Sequence, residues 1–128
     1  MAGYDAPASL VNIAAGTGGF RKGQIVKRSA ATVVACSAQG EAYFGVAIHD
    51  AAVGELALIC VMGECDVEVD DATLVVGDFI TTKATGVAEK AATSDFIVGM
   101  ILEPGAATAG SAFGYRRCVV RCHNEISA

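Results

Sequence analysis

The sequence predicts an all-β domain, a small barrel of short antiparallel strands with an extended N-terminal arm, and three observations carry that expectation. From Leu74 to Leu102, LVVGDFITTKATGVAEKAATSDFIVGMIL, the chain breaks into short apolar runs cut by Gly77, Gly86 and Gly99. Runs this short suit a pleated strand and cannot supply the buried stripe of a helix. Val67 and Val69 alternate with Asp66, Glu68 and Asp70, which is the two-residue period of a strand with one apolar and one acidic face. A sustained helical period is missing: residues 88–95 have room for one turn, and Thr93 and Ser94 work against it.

Taken in chain order, residues 1–20 stand apart from the rest. Ala, Gly, Ser and Asn dominate there, Pro7 blocks regular structure, and two glycines follow Thr17. This segment reads as the arm, yet Leu10, Val11 and Ile13 are too apolar for an idle tail. They are the candidate residues for docking on a neighbour or a capsid; a first strand of the same domain is the alternative, and both readings stay open. Residues 21–128 form the barrel domain. GQIVKRS, ATVVACS and AYFGVAIHD follow as strands, each closed by polar or glycine punctuation such as Gln39-Gly40. ELALICVMGECDVEV comes next, half exposed because of its acids. Gly77-Asp78 interrupts the chain before Phe79-Ile80, and Thr85-Gly86 marks a hairpin turn or bulge before Val87. FIVGMILEP is a strand, GAATAGSAFG a loop, and YRRCVVRCHNE the strand that closes the barrel. Its alternation sends Cys118, Val120 and Cys122 inward and Arg117, Val119 and Arg121 outward.

Composition narrows the function classes. With 128 residues the chain makes one domain and leaves no room for a separate catalytic module. It is 53% hydrophobic but only 6% aromatic, with 15 Gly and no Trp, which favours thin, closely packed sheets over a ring-lined ligand pocket. A net charge of -5 argues against nucleic acid as a partner, and the cluster Arg116, Arg117 and Arg121 is too small to reverse it. No apolar run is long enough to cross a bilayer, and the N-terminus lacks a basic, then apolar, leader pattern. The expected setting is a cytoplasm, and an odd number of cysteines, at positions 36, 60, 65, 118 and 122, reads as reduced, small buried hydrophobes.

Cys118, Cys122 and His123 lie close in sequence, with Cys60, Cys65 and His49 elsewhere. Structural zinc takes cysteine pairs on a knuckle, whereas a strand rises about 3.3 Å per residue and holds Cys118 and Cys122 apart. No metal site is therefore expected. Glu64, Asp66, Glu68, Asp70 and Asp71 lack the tight turn that converges oxygens on calcium and read as a solvated acidic face. His49-Asp50 are adjacent and no serine sits in a nucleophile elbow, while Gly16 to Gly19 lack the Lys-Ser/Thr of a phosphate loop. Lys83 in TTKATG occupies a turn as the lysine of biotinyl and lipoyl carrier domains does, but Thr82 and Ala84 flank it where those domains place a Met or an acid. No catalytic residue and no cofactor is expected.

The order GQIVKRS, FGVAIHD, VMGECDVEV, VVGDFITT, TGVAEKA, FIVGMILEP and a final CVVRC resembles the small decoration, or cement, proteins of tailed-bacteriophage capsids, over about Gly23 to Cys122. Its markers are Gly-Gln-Ile-Val, Gly-Asp-Phe-Ile at Gly77 to Ile80, Thr-Gly-Val at Thr85 to Val87, and Ile-Val-Gly-Met-Ile-Leu at Ile97 to Leu102. The resemblance implies a β-barrel or β-tulip-like subunit that binds the outside of an assembled shell, commonly as a homotrimer, and strengthens it against internal DNA pressure. It implies the major capsid protein and further copies of this chain as partners, and the outer capsid surface of the virion as the location after synthesis in the host cytoplasm. Neither nucleic acid nor membrane is among the partners, and no catalytic residues come with the family. A tail part, a head-fibre base or a microcompartment vertex would share the same cues and differ in partner; a carrier domain or enzyme would require Lys83 or the Cys and His groups to act.

Overall fold

The structure is a computed structural model that describes residues 9–71, 73–102 and 114–126, with side chains as far as residue 121. Those residues form nine strands and no helix: β1 (Ser9–Ala14), β2 (Ile25–Ser29), β3 (Thr32–Ala35), β4 (Gly45–Ala47), β5 (Leu56–Val69), β6 (Phe79–Thr82), β7 (Ala88–Lys90), β8 (Phe96–Ile101) and β9 (Gly114–Ile126). β5, β7, β6, β8 and β9 pair in that order, and β9 returns to β5, so five strands close a barrel. One pairing within the barrel departs from the antiparallel expectation: β7 meets β5 in parallel at Ala88 and Val69. The short β6–β7 hairpin, tightened by the Gly86 N–H to Lys83 carbonyl bond, imposes that direction on β7.

Below the closed barrel, β5 also pairs with β1 and β4, β4 with β2, and β2 with β3. An Ala15–Val33 bridge and the Gly16 N–H to Val33 carbonyl bond bring the end of β1 back to β3. Two cores result. Ile25, Val46, Cys60, Val67, Val69, Ile80, Val98, Ile101 and Val120 belong to the first; Ala15, Phe20, Val26, Val33, Ala47, Ala57 and Ile59 belong to the second. Neighbouring residues of β2, β4 and β5 thus turn to opposite cores: Ile25 against Val26, Val46 against Ala47, Cys60 against Ile59. Successive side chains on a strand point to opposite faces, so a strand buried on both faces reads as an unbroken apolar run. That is why IV and GVA show no polar alternation. Each fully buried Val or Ile stabilises by roughly 1.5–3 kcal/mol relative to exposure.

β5 serves both cores because it is bulged. Ala57 and Ile59 are buried at odd positions in the second core and Cys60 at an even position in the first, while beyond Gly63 the first core takes Cys65, Val67 and Val69. The β1 ladder skips Val61, pairing Leu10 with Cys60 and Ser9 with Met62, and this extra residue shifts the face; Gly63 just beyond it has φ +112°, a backbone state that L side chains rarely adopt. A second special glycine, Gly99, lets β8 lie against the Val119 carbonyl of β9 where a Cβ would collide.

Residues 9–20, read from the sequence as an arm or as a first strand, pack on the strands that follow. β1 pairs with β5 over Ser9–Ala14, and Ala15 and Phe20 are buried in the second core, so residues 9–20 are part of the domain. Small residues in the sequence hid this, because Ala15 fits a tight core as well as it fits a tail. Residues 1–8 and nearly all of the GAATAGSAFG loop lie outside the described residues. AYFGVAIHD is also shorter as a strand than expected, since Tyr43 leaves the ladder to bury its ring in the first core and donate its hydroxyl to the Arg121 carbonyl.

Candidate interaction surface

Apart from Tyr115 of β9, the exposed large hydrophobic residues among those described fall into two groups. Leu10 of β1, Leu56, Leu58 and Met62 of β5, and Val53 just before β5 form the first; Val75, Val76 and Phe79 around the Gly77 turn form the second. Register explains the first group. Leu10 stands opposite Cys60, Asn12 opposite Leu58 and Ala14 opposite Leu56, so Leu10, Leu58 and Leu56 share one face of the β1–β5 ladder, which is buried only where Cys60 enters the first core. Val11 pairs with Ile59 and Ile13 with Ala57, which turns both toward the second core, where Ile13 packs. Of the three residues expected to dock, Leu10 is exposed, Val11 half-buried and Ile13 half-buried against the core. Among the described residues β1 is also an edge: it pairs with β5 alone along Ser9–Ala14, and no charge, Pro or Gly within it blunts it.

The acidic face is largely neutralised. Arg117 lies 3.5 Å from both Glu64 and Asp66, Lys22 lies 3.9 Å from Asp66, and Arg21 grips Glu68 at 2.8 Å. The basic cluster is divided. Arg117 is spent on these pairs and Arg121 is exposed, whereas Arg116 turns inward, buried, with one N–H donated to the Leu74 carbonyl at 3.0 Å. Among the described residues its Nε and Nη1 meet no hydrogen-bond acceptor.

Lys83 and His49 are occupied by local structure. The Lys83 ammonium bonds both carboxylate oxygens of Asp70 at 3.0 Å, and that bond raises its pKa. A tethered, protonated lysine is a poor acceptor for a carried group. His49 Nε2 accepts the Leu58 N–H at 3.2 Å, which leaves Nδ1 to donate to the Asp50 carbonyl at 2.9 Å. Both ring nitrogens are thereby used in holding the loop before β5. Thiols are buried at Cys36, Cys60, Cys65 and Cys118. Burial pushes Cys36 and Cys118 up to about 12, as expected of inert core thiols. No group of three or more His, Cys, Asp and Glu suited to a metal occurs among the described residues; the side chains of Cys122 and His123 lie outside them.

The architecture has a known counterpart. It is similar to the crystal structure of the head fiber gp8.5 N base of bacteriophage phi29, with a TM-score of 0.61 and 16% sequence identity over 94% of this chain and 99% of that one. At that identity the likeness is one of fold. No protein-family model and no curated protein matches the sequence.

Sequence reasoning found Leu10 but missed Leu56, Leu58 and Met62. The signal was present in ELALICVM, where Leu56 and Leu58 alternate with Ala57 and Ile59. Both sides of that alternation are apolar, so periodicity alone could not say which one faces water.

Proposed function

We propose that this protein is a structural, non-enzymatic component of a tailed-phage virion, a decoration or cement protein that binds the outside of the assembled head and stabilises it. The observation that carries the reading is the shared architecture with the phi29 head fiber base over nearly the whole of both chains. The exposed apolar face of Leu10, Leu56, Leu58 and Met62 beside an unblunted edge strand supports it, because such a face suits β-strand addition or subunit packing. The proposed partners are the major capsid protein and further copies of this chain, as a trimer, with no nucleic acid and no membrane. Many weak contacts repeated over a closed lattice hold such a protein without any single tight site. A second reading, the base of a head fibre, is favoured by the name of that same structural neighbour.

Co-sedimentation with DNA-filled and empty heads tests the proposal. Saturable binding to assembled shells, and none to free capsid subunits, is the expected result. Leu56→Lys, on the exposed face, is expected to weaken binding at least about tenfold while leaving the fold intact. Decorated heads that retain DNA at temperatures where bare heads release it support the cement role; binding with unchanged release supports the fibre base. Failure to bind any shell overturns both.

A further inference from the structure

Backbone direction decides what the open edge of β1 can hold. The Ala15 N–H donates to the Glu55 carbonyl at 2.8 Å, and the Ala15 carbonyl accepts the Gly54 N–H at 2.9 Å, so Ala15 spends both groups on the β5 side. Alternate residues of an antiparallel strand point their N–H and C=O to opposite sides, so Ile13 and Val11 also face β5. The far side of β5 agrees. There the Leu58 carbonyl accepts the Ile48 N–H at 3.3 Å and the Leu58 N–H meets His49, which leaves Ala57 and Ile59, the partners of Ile13 and Val11, turned toward β1. The N–H and C=O groups of Leu10 and Asn12 therefore point out of the edge. Farther along, the Gly16 N–H on that outer side is taken by the Val33 carbonyl at 2.7 Å, and the Ala15–Val33 bridge brings β3 alongside. Among the described residues the open stretch is Leu10 and Asn12.

That stretch is complementary to itself. Laid antiparallel on a second copy about a two-fold axis through Val11, Leu10 of each copy stands opposite the partner's Asn12. Each such pair exchanges both of its N–H···O=C bonds, so every open group of Leu10 and Asn12 in both copies is satisfied. Other registers do worse. A shift of one residue sets outward groups against inward ones, and a shift of two either carries Asn12 past the described strand or sets Leu10 against Ala14, where β3 already lies. The side chains agree with the same register. Leu10, Leu58 and Leu56 of the two copies come together on one face, and on the other the half-buried Val11 meets the partner's Val11. Ser9–Ala14 carries no charge, so two chains of net charge -5 meet there without setting like charges opposite each other.

We propose that two copies of this chain pair through β1, antiparallel about a two-fold axis at Val11, and so make one continuous sheet from β5 of one copy to β5 of the other. A strand of another protein would satisfy the same backbone groups. A second copy, however, brings an equal open edge and an equal apolar face, so both partners lose theirs in one contact. The pairing gives the subunit packing proposed above a definite geometry. It needs no capsid, and a separate three-fold contact elsewhere on the molecule is compatible with it.

Native mass spectrometry and sedimentation of the reduced, full-length protein test the pairing, and species with an even number of chains are expected. Asn12→Pro removes only an outward N–H, and proline is tolerated where an edge strand faces solvent, so the β5 ladder stays. It is expected to raise the dissociation constant of the pair at least about tenfold. Val11→Cys sets two thiols opposite each other on the axis, where Cα atoms about 4.5 Å apart suit a disulfide. Mild oxidation is expected to link this variant as a dimer, and to link Ser9→Cys, which faces the partner's Ile13, no more than the wild type. Circular dichroism identifies a variant that fails to fold, and Val11→Cys decides the matter if Asn12→Pro does. A wild-type protein that stays monomeric or forms trimers alone up to about millimolar concentration overturns the proposal. So does a dimer that Asn12→Pro leaves unchanged, or a folded Val11→Cys that oxidation does not link. A monomer whose shell binding is lost in Asn12→Pro assigns the edge to the capsid protein, which overturns the pairing and leaves the cement reading standing.

Discussion

At the scale of single residues, the charged groups do more to pin loops than to form a site. Glu41 shows how. One carboxylate oxygen accepts the Lys27 ammonium at 2.9 Å, and the other accepts the N–H groups of Ser37 and Ala38 at 2.6 Å and 2.8 Å, which ties the loop after β3 to β2. Burial pushes this carboxyl up, but the Lys27 and backbone hydrogen bonds outweigh it and hold the pKa below the ordinary value of 4.5. A carboxyl with a depressed folded pKa stabilises above its unfolded pKa, and the contribution is lost as pH falls through the folded value. Glu41→Gln is expected to cost about 1–2 kcal/mol at neutral pH. Denaturant titrations should show that difference shrinking as pH falls below 4.5 and disappearing once the pH lies well below the folded value. A difference that persists undiminished in acid would mean that the charge of Glu41 is not what holds the loop.

At the scale of elements, β1 bears on two questions at once, because one of its faces is core and the other is a candidate contact. Deleting residues 1–14 removes the whole β1 ladder and Ile13 from the second core. The expected loss is about 2–4 kcal/mol of stability, read as a lower unfolding midpoint even with no capsid present. Loss of shell binding in that truncation would therefore not separate docking from folding, whereas Leu56→Lys changes only the exposed side. An unchanged midpoint on truncation would show that β1 adds nothing to the isolated domain. The sequence made β1 visible as apolar without assigning its partner, because Leu10, Val11 and Ile13 would look the same whether paired in their own chain or on a neighbour.

At the scale of the molecule, two cores share one wall, and β5 runs through both. Neither core is enclosed without β2, β4 and β5, so unfolding one exposes the inner face of the other. A single cooperative transition is expected, and Ile59→Ala in the second core and Val67→Ala in the first should both lower it, by about 2–4 and 1–3 kcal/mol. Calorimetry that resolved two transitions, each sensitive to one variant, would show that the halves fold separately.

The sequence by itself determined the strand content, the turns at Gly77 and Gly86, the inward Cys118 and Val120 of β9, and the closure of the barrel by that last strand. These are local matters, set by a two-residue period and by residues that tolerate or refuse a turn. Tertiary structure alone decided that β2 and β4 are walls between two cores, that Leu56 and Leu58 face water while Ala57 and Ile59 do not, and that Cys65 stands opposite Cys118. Each of these depends on what lies beyond a strand's second face or across a bulge. An apolar residue carries the same burial preference toward either core, and the bulge at Val61 moves every later side chain of β5 to the other face without leaving a periodic signal.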